Sequence, residues 1–228
     1  MSRPTLSVVV VTQDRAALLP RFLANVAPVA DEIVAVDGGS KDATADVLQA
    51  HPKVRYARRD FDTFPRQKNH AISLATSDWV LVLDSDELLS AELRQALPNL
   101  LHACRKRWYK LPRYWLVSLD PPRYVHADAL YPDHQLRLFR NAPFWRYEEQ
   151  RVPLHERFPR DGRGPGKKLR RGHILHLDFM LNDRATREAK VARYEQVWPG
   201  HSANRAYLWE DLPHEMRACA EGLPDDPA

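Results

Sequence analysis

Cysteine is scarce in this chain of 228 residues, which has two, Cys104 and Cys219. They lie far apart, each in a stretch that reads as helix. A disulfide framework, a cysteine metal site and a redox pair are therefore not expected, and the usage fits a reducing compartment. Long apolar runs are missing too: the longest, residues 6–11, falls far short of the roughly 20 residues a membrane-spanning helix needs. No basic leader with a cleavage site precedes it. These absences point to a cytoplasmic protein, with peripheral association at the inner face of the membrane left open. No internal repeat is visible, and a length of 228 residues suits one continuous α/β core. The expectation is a single domain over 1–228, with a nucleotide-binding half (1–106) and an acceptor-binding half (107–228).

Charge is close to balanced, with 34 Lys and Arg against 30 Asp and Glu, but it is unevenly spread. Arg160, Arg163, Lys167, Lys168, Arg170 and Arg171 crowd one stretch that also holds Gly162, Gly164 and Gly166. Such a run can hold a diphosphate, lean on anionic lipid, bind nucleic acid or simply be a solvated loop. The glycines favour a mobile flap over a diphosphate. No nucleic-acid partner is expected.

The first half alternates short apolar runs with amphipathic segments, the pattern of βαβ units whose strands form a mostly parallel sheet covered by helices. Strands are expected at 8–11, 33–36, 54–57 and 79–83. Helices are expected from Leu18, over 43–50 with Ser40 or Asp42 as cap, over 64–75, and from a Ser90 cap toward Arg105. From Trp108 the texture turns aromatic and proline-rich, with strands over 108–119 and 135–139. A charged helix over 184–198 and a last helix over 203–220 follow.

Ligands of open α/β sheets bind beyond the carboxyl ends of the strands. Here those ends are acidic: Thr12-Gln13-Asp14, Asp37-Gly38-Gly39-Ser40 and Asp84-Ser85-Asp86-Glu87. Asp is a common turn and cap residue, so any one of these is unremarkable, whereas three on one rim point to a polyanionic ligand held through a cation. On a strand Asp84 and Asp86 would face the same way and converge either on one hard cation, Mg²⁺ or Mn²⁺, that shares its shell with substrate phosphates, or on a metal and a ribose.

These residues, with Val9-Val10-Val11-Thr12, Ile33-Val34-Ala35-Val36-Asp37, Gln67-Lys68-Asn69 and Leu83-Asp84-Ser85-Asp86-Glu87, resemble glycosyltransferase family 2. The resemblance implies a GT-A fold and inverting transfer from a nucleotide-sugar donor. It places Thr12, Asp14, Asp37, Lys68, Asp84 and Ser85 around the nucleotide, and Asp84 and Asp86 at the metal. The second half resembles the bacterial branch related to lipopolysaccharide core glucosyltransferases, through Tyr131-Pro132-Asp133-His134-Gln135-Leu136-Arg137-Leu138-Phe139-Arg140 and Leu154-His155-Glu156. That implies a saccharide or lipid-linked acceptor and a role in cell-envelope polysaccharide synthesis.

Inversion needs a base for the acceptor hydroxyl. Glu156 is the first candidate and Asp133 the second. His176 is a candidate third metal ligand. His173, His176 and Asp178 also suggest a zinc hydrolase, but histidines three apart on a strand face opposite sides. Trp108, Trp115, Tyr124, Trp145 and Tyr147 are read mainly as core, with a sugar-stacking platform as the alternative. Two further classes compete. A nucleotidyltransferase would carry a Gly-rich basic loop after the first strand, where this chain has Thr12-Gln13-Asp14-Arg15. A lectin-like binder would have little use for a base beside a metal site.

Overall fold

The computed structural model describes residues 3–103, 105–149, 158 and 164–221. Seven consecutive strand residues, none of them charged, open the fold as β1 (Leu6–Thr12). The elements that follow are α1 (Leu19–Val26), β2 (Glu32–Asp37), α2 (Thr44–Gln49), β3 (Val54–Arg58), α3 (Phe64–Leu74), β4 (Trp79–Asp84), β5 (Glu87–Leu89) and α4 (Ala91–His102). The second half contributes β6 (Trp108–Leu119), β7 (Pro122–His126), β8 (Asp133–Arg140), β9 (Gly166–Lys168), β10 (Ile174–His176), α5 (Asp178–Leu181), α6 (Arg184–Val197), α7 (Ser202–Arg205) and β11 (Glu215–Ala218).

The strand order is β11-β7-β6-β8-β4-β1-β2-β3, parallel from β4 to β3 and antiparallel from β4 through β8, β6 and β7 to β11. β1 lies between β4 and β2 in a sheet with helices on both faces, so its run is apolar without alternation. Val8 and Val10 join the layer formed with α1 and α4, while Val9 joins the opposite layer with Ala71 and Ile72 of α3 and with Trp145. On α4, Leu93, Leu97 and Leu101 recur every four residues and form the buried stripe. Ser90 caps this helix by accepting from the Leu93 N–H at 3.1 Å, and Thr63 caps α3.

Three local expectations are corrected. Ala43, not Ser40 or Asp42, is the N-cap position of α2, and no side chain caps it there. Asp42 instead accepts the N–H groups of Thr44 (2.9 Å) and Ala16 (3.0 Å), tying the helix start to the loop after β1. The expected last helix over 203–220 is replaced by α7, a 3₁₀ turn (Trp209–Asp211) and β11. Pro213 accounts for this, since it disfavours helical geometry at Leu212, whose backbone is extended. Cys219 accordingly follows a strand and is buried, while Cys104 lies outside the described residues.

The third correction concerns the basic stretch. Residues 160–163 lie outside the described residues, but 166–168 form β9, in register with Trp108–Lys110 of β6. Trp108 is also paired with Phe139, and Trp79 with Arg140, so β9 sits at the opposite end of the sheet from Asp84. Gly166 is packed under Trp108, where a Cβ would come within 2.0 Å of the indole, and Leu169 is buried and donates its N–H to Lys110 O. The described part is anchored there and does not cover a rim at the other end.

The end of the described chain is held by one carboxylate. Glu221 accepts from the Ser90 hydroxyl (2.9 Å), from the His173 N–H (2.8 Å) and ring Nδ1 (2.6 Å), and from the Gly172 N–H (3.1 Å). Burial alone would raise this carboxyl, but the His173 and Ser90 hydrogen bonds outweigh it and lower the pKa from 4.5 to about 2. The stabilisation is therefore complete above pH 4.5 and fades as pH falls toward 2. Glu221→Gln should cost about 1–3 kcal/mol at neutral pH. Urea unfolding of both proteins should show that gap closing between pH 4.5 and the acid limit; a pH-independent gap would refute the account.

Candidate active site

β1, β2 and β4 end side by side, with Thr12 in register with Asp37 and Val11 with Asp84. The loops beyond them are fastened together. Asp37 is buried, and its Oδ1 accepts the N–H groups of Gly39 (3.1 Å) and Ser40 (2.9 Å) and the Ser40 hydroxyl (2.6 Å). Its Oδ2 accepts the Tyr56 hydroxyl (3.1 Å). The turn runs through Gly39 at φ 99°, a conformation natural to glycine. Asp14, at φ 51°, accepts the Lys41 N–H at 2.7 Å and donates its own N–H to Ser40 Oγ. Asp37 and Asp14 thus shape the rim. Thr12 presents a buried hydroxyl with no hydrogen-bond partner among the described residues.

Beneath the rim runs a chain of alternating charges. Lys68 and Arg137 hold the two Asp84 oxygens at 2.8 and 2.7 Å. Arg137 also meets Glu87 at 3.0 Å, and Glu87, with no exposed surface, takes Arg113 at 2.8 Å. Arg113 reaches Asp133 at 2.6 Å. Burial opposes the Asp84 charge, but Arg137 and Lys68 together hold its carboxyl well below the usual carboxylate range. Buried charges of this kind persist only when paired and hydrogen-bonded.

Asp84 and Asp86 engage different partners. Period-two alternation stops with β4 at Asp84, and Ser85 and Asp86 lie in the turn. Asp86 faces His176 of β10 (Oδ2 to Nε2, 3.5 Å), and its carbonyl accepts the Leu177 N–H. Burial would raise the Asp86 carboxyl, yet His176 lowers it further than burial lifts it. Asp178 follows on α5, with Oδ1 accepting from Lys190 (2.8 Å) and Asn182 (2.9 Å). One ligand atom from each of Asp86, His176 and Asp178 lies within 4.8 Å of the others. His176 Nδ1 and Asp178 Oδ2 are buried and have no hydrogen-bond partner among the described residues. Two carboxylates and one imidazole, with an orphaned polar atom on His176 and another on Asp178, form a donor set that fits a divalent cation.

The zinc triad of His173, His176 and Asp178 is not formed. His173 turns away, its ring stacked on Tyr114 at 3.7 Å and bound to Glu221. Asp178 joins Asp86 instead, a partnership across chain segments that sequence spacing does not reveal. Asp133 is fully engaged: Arg113 and Trp115 donate to Oδ2, and Gln135 to Oδ1. Burial would raise its pKa, but Arg113 and Gln135 hold it below the usual range, which makes it a weak proton acceptor. Glu156 lies outside the described residues.

Of the aromatic set, Trp115, Tyr124, Trp145 and Tyr147 are buried in packing clusters and Trp108 is half-buried. The exposed rings near the rim are Phe61 and Phe64, in edge contact at 5.0 Å. Phe61 hydrogen-bonds through its N–H to Gly38 O, and the Phe64 ring lies 5.9 Å from Lys68 Nζ.

A parallel β3-β2-β1-β4 half ending in an acidic rim, extended by antiparallel strands that bring a histidine to that rim, defines a GT-A-type fold. Residues 7–155 match Glycosyl transferase family 2, and the chain belongs to that family. A TPR repeat-containing protein of Synechococcus elongatus is 34% identical over 161 residues, 66% of this chain and 34% of that protein. The lipopolysaccharide core biosynthesis glycosyltransferase LpsC of Rhizobium meliloti is 31% identical over 159 residues, 67% of this chain and 56% of that protein. The chain thus spans about a third of the first relative and just over half of the second. Among solved structures, the mannosyltransferase PcManGT of Pyrobaculum calidifontis, in complex with GDP-Man and Mn²⁺, superposes with a TM-score of 0.59 at 15% identity, covering 93% of this chain and 67% of its own. TarS 1–349 of S. aureus gives 0.53 at 12% identity, covering 90% and 69%. The family match weighs for a glycosyltransferase domain over a nucleotidyltransferase or a lectin-like binder.

The sequence signal for Arg137 is its place between Leu136 and Leu138 on a strand, a cation in an apolar run that needs carboxylates once buried. Arg137→Ala strands Asp84 and Glu87 and should destabilise the protein by about 3–5 kcal/mol in urea unfolding. Arg137→Lys keeps a positive charge but carries it on a shorter side chain than the Arg137 Nη2 that meets both carboxylates, and should recover part of the loss. A loss under about 1 kcal/mol for the alanine variant would show that the charge chain contributes little.

Proposed function

We propose that the chain moves a hexose from a nucleoside diphosphate sugar, a uridine diphosphate sugar as first choice, to a saccharide or lipid-linked acceptor with inversion at the anomeric carbon. The observation that carries the reading is the Asp86–His176–Asp178 cluster beside the end of β4, with its two orphaned donor atoms. Mn²⁺ or Mg²⁺ fits it, and when bound would neutralise charge that builds on the departing diphosphate. Support for the donor class comes from PcManGT, whose complex holds GDP-Man and Mn²⁺, and support for the acceptor class from LpsC, named for lipopolysaccharide core biosynthesis.

In this reading Thr12 and the Asp37 turn line the nucleotide, with Phe61 and Phe64 offering a stacking surface at the edge of that pocket. Asp14 holds the turn in shape and Ser85 sits at the ribose. Lys68 and Arg137 keep Asp84 ionised and add positive potential under the diphosphate. Glu156 takes the proton of the acceptor hydroxyl as its oxygen attacks the anomeric carbon from the face opposite the leaving diphosphate. Asp133, already committed to Arg113, orients β6 and β8.

Asp86→Ala should lower sugar transfer about a hundredfold or more. His176→Ala should raise the Mn²⁺ concentration needed for half-maximal rate about 10–100-fold, the range of a disturbed metal shell. Near-normal rates in both variants at limiting Mn²⁺ would overturn the metal assignment. For the base, Glu156→Gln should abolish transfer while leaving donor affinity by calorimetry near normal. The same outcome confined to Asp133→Asn would move the role to Asp133.

A further inference from the structure

A cleft of about 630 Å³ opens on the edge of the molecule between α4 and the chain from Lys167 to Gly172. Its floor is apolar, made by Ala96, Leu100 and Leu169, and its rim carries Lys167, Lys168, Arg170 and Arg171, with Glu92 the acid among its lining residues. All four rim cations are exposed, and Arg105 and Arg107, also exposed, add to the same end of the sheet. Among the described residues no carboxylate pairs with Lys167, Lys168 or Arg170. Burial and the neighbouring Glu221 carboxylate push the Glu92 pKa upward.

We propose that this cleft and its cationic rim are a docking surface for a bilayer containing anionic phospholipid. An apolar floor under a ring of cations complements an amphiphile, whose phosphate meets the rim while the first acyl carbons cover Ala96, Leu100 and Leu169. A single-stranded nucleic acid would call for exposed rings to stack on. The exposed Phe, Tyr and Trp rings among the described residues, Phe61, Phe64 and Phe144, belong to other segments. Each Lys or Arg close to an anionic leaflet contributes a factor of about five in binding, so four act together without a preformed phosphate pocket.

The register relates this surface to the catalytic rim. β9 ends opposite Lys110 and His176 stands opposite Trp115, so five β6 residues, roughly 17 Å at about 3.3 Å each, separate the anchor from the metal cluster. Docking would therefore hold the site within reach of an acceptor rooted in the same leaflet. The surface goes beyond the transfer reaction, and its test does not depend on that reading.

Co-sedimentation of the full chain should show binding to phosphatidylcholine vesicles containing about a third phosphatidylglycerol and at least about tenfold less to phosphatidylcholine alone. The variant carrying Lys167→Ala, Lys168→Ala, Arg170→Ala and Arg171→Ala should lose about tenfold or more, with an unchanged circular dichroism spectrum and urea midpoint. Ala96→Trp fills the cleft without altering charge and should weaken binding as well. Inorganic phosphate should displace the protein no better than chloride of equal ionic strength. Equal binding to both vesicle types, full binding by the quadruple variant, unchanged binding by Ala96→Trp, or selective displacement by phosphate or by a single-stranded oligonucleotide would each overturn the proposal.

Discussion

Arg137 is the hinge pin of the active-site architecture. It enters from β8, an antiparallel strand, and places one guanidinium between Asp84 at the end of β4 and Glu87 at the start of β5. The segment between those acids is the turn that carries Ser85 and Asp86. Asp84 also receives Lys68 from α3, and Glu87 receives Arg113 from β6. Five elements from both halves of the chain are thus locked around a two-residue turn. A charge this deep costs several kcal/mol to desolvate, so the arrangement tolerates little slack: each group is held by partners that would themselves be stranded without it.

That chain of charges also explains how a shared sheet serves two purposes. On the β1–β2 side, backbone N–H groups around Asp37 and Asp14 do the fastening, and the loops stay close to neutral. On the β4–β8 side the fastening is ionic. Lys68 and Arg137 are buried beneath the rim with fixed orientations, so under the proposed function their positive potential is in place before a phosphate arrives.

How much of this was legible in the sequence follows from range. The four parallel strands and their helices were readable because each is a local run of apolar residues flanked by caps such as Ser90 and Thr63, and the structure reproduces them to within a residue or two. The three acidic strand ends were legible for the same reason. The Asp86–His176–Asp178 grouping is only half visible: His176 is a candidate from the sequence, but Asp178 joins through β10 pairing with β5, far away in the chain, which no local pattern encodes. The last strand was misread as helix because periodicity persists past Pro213 while pairing with β7 decides the outcome. The basic stretch suggested a cover over phosphate because charge and glycine have no address; only its register on β6 supplies one.

Lys190 gives the cluster a further property. Its ammonium rests on Asp178 and, 4.1 Å from the Tyr207 ring centroid, on an aromatic face as well. Asp86 and Asp178 together with this resident cation leave a single net negative charge. A divalent ion settling there reverses the sign, and the excess positive charge is then best relieved by a diphosphate. Under the proposed function, ion and donor should consequently favour each other's binding, a coupling that a cluster of bare carboxylates, charged enough to retain the ion by itself, would lack.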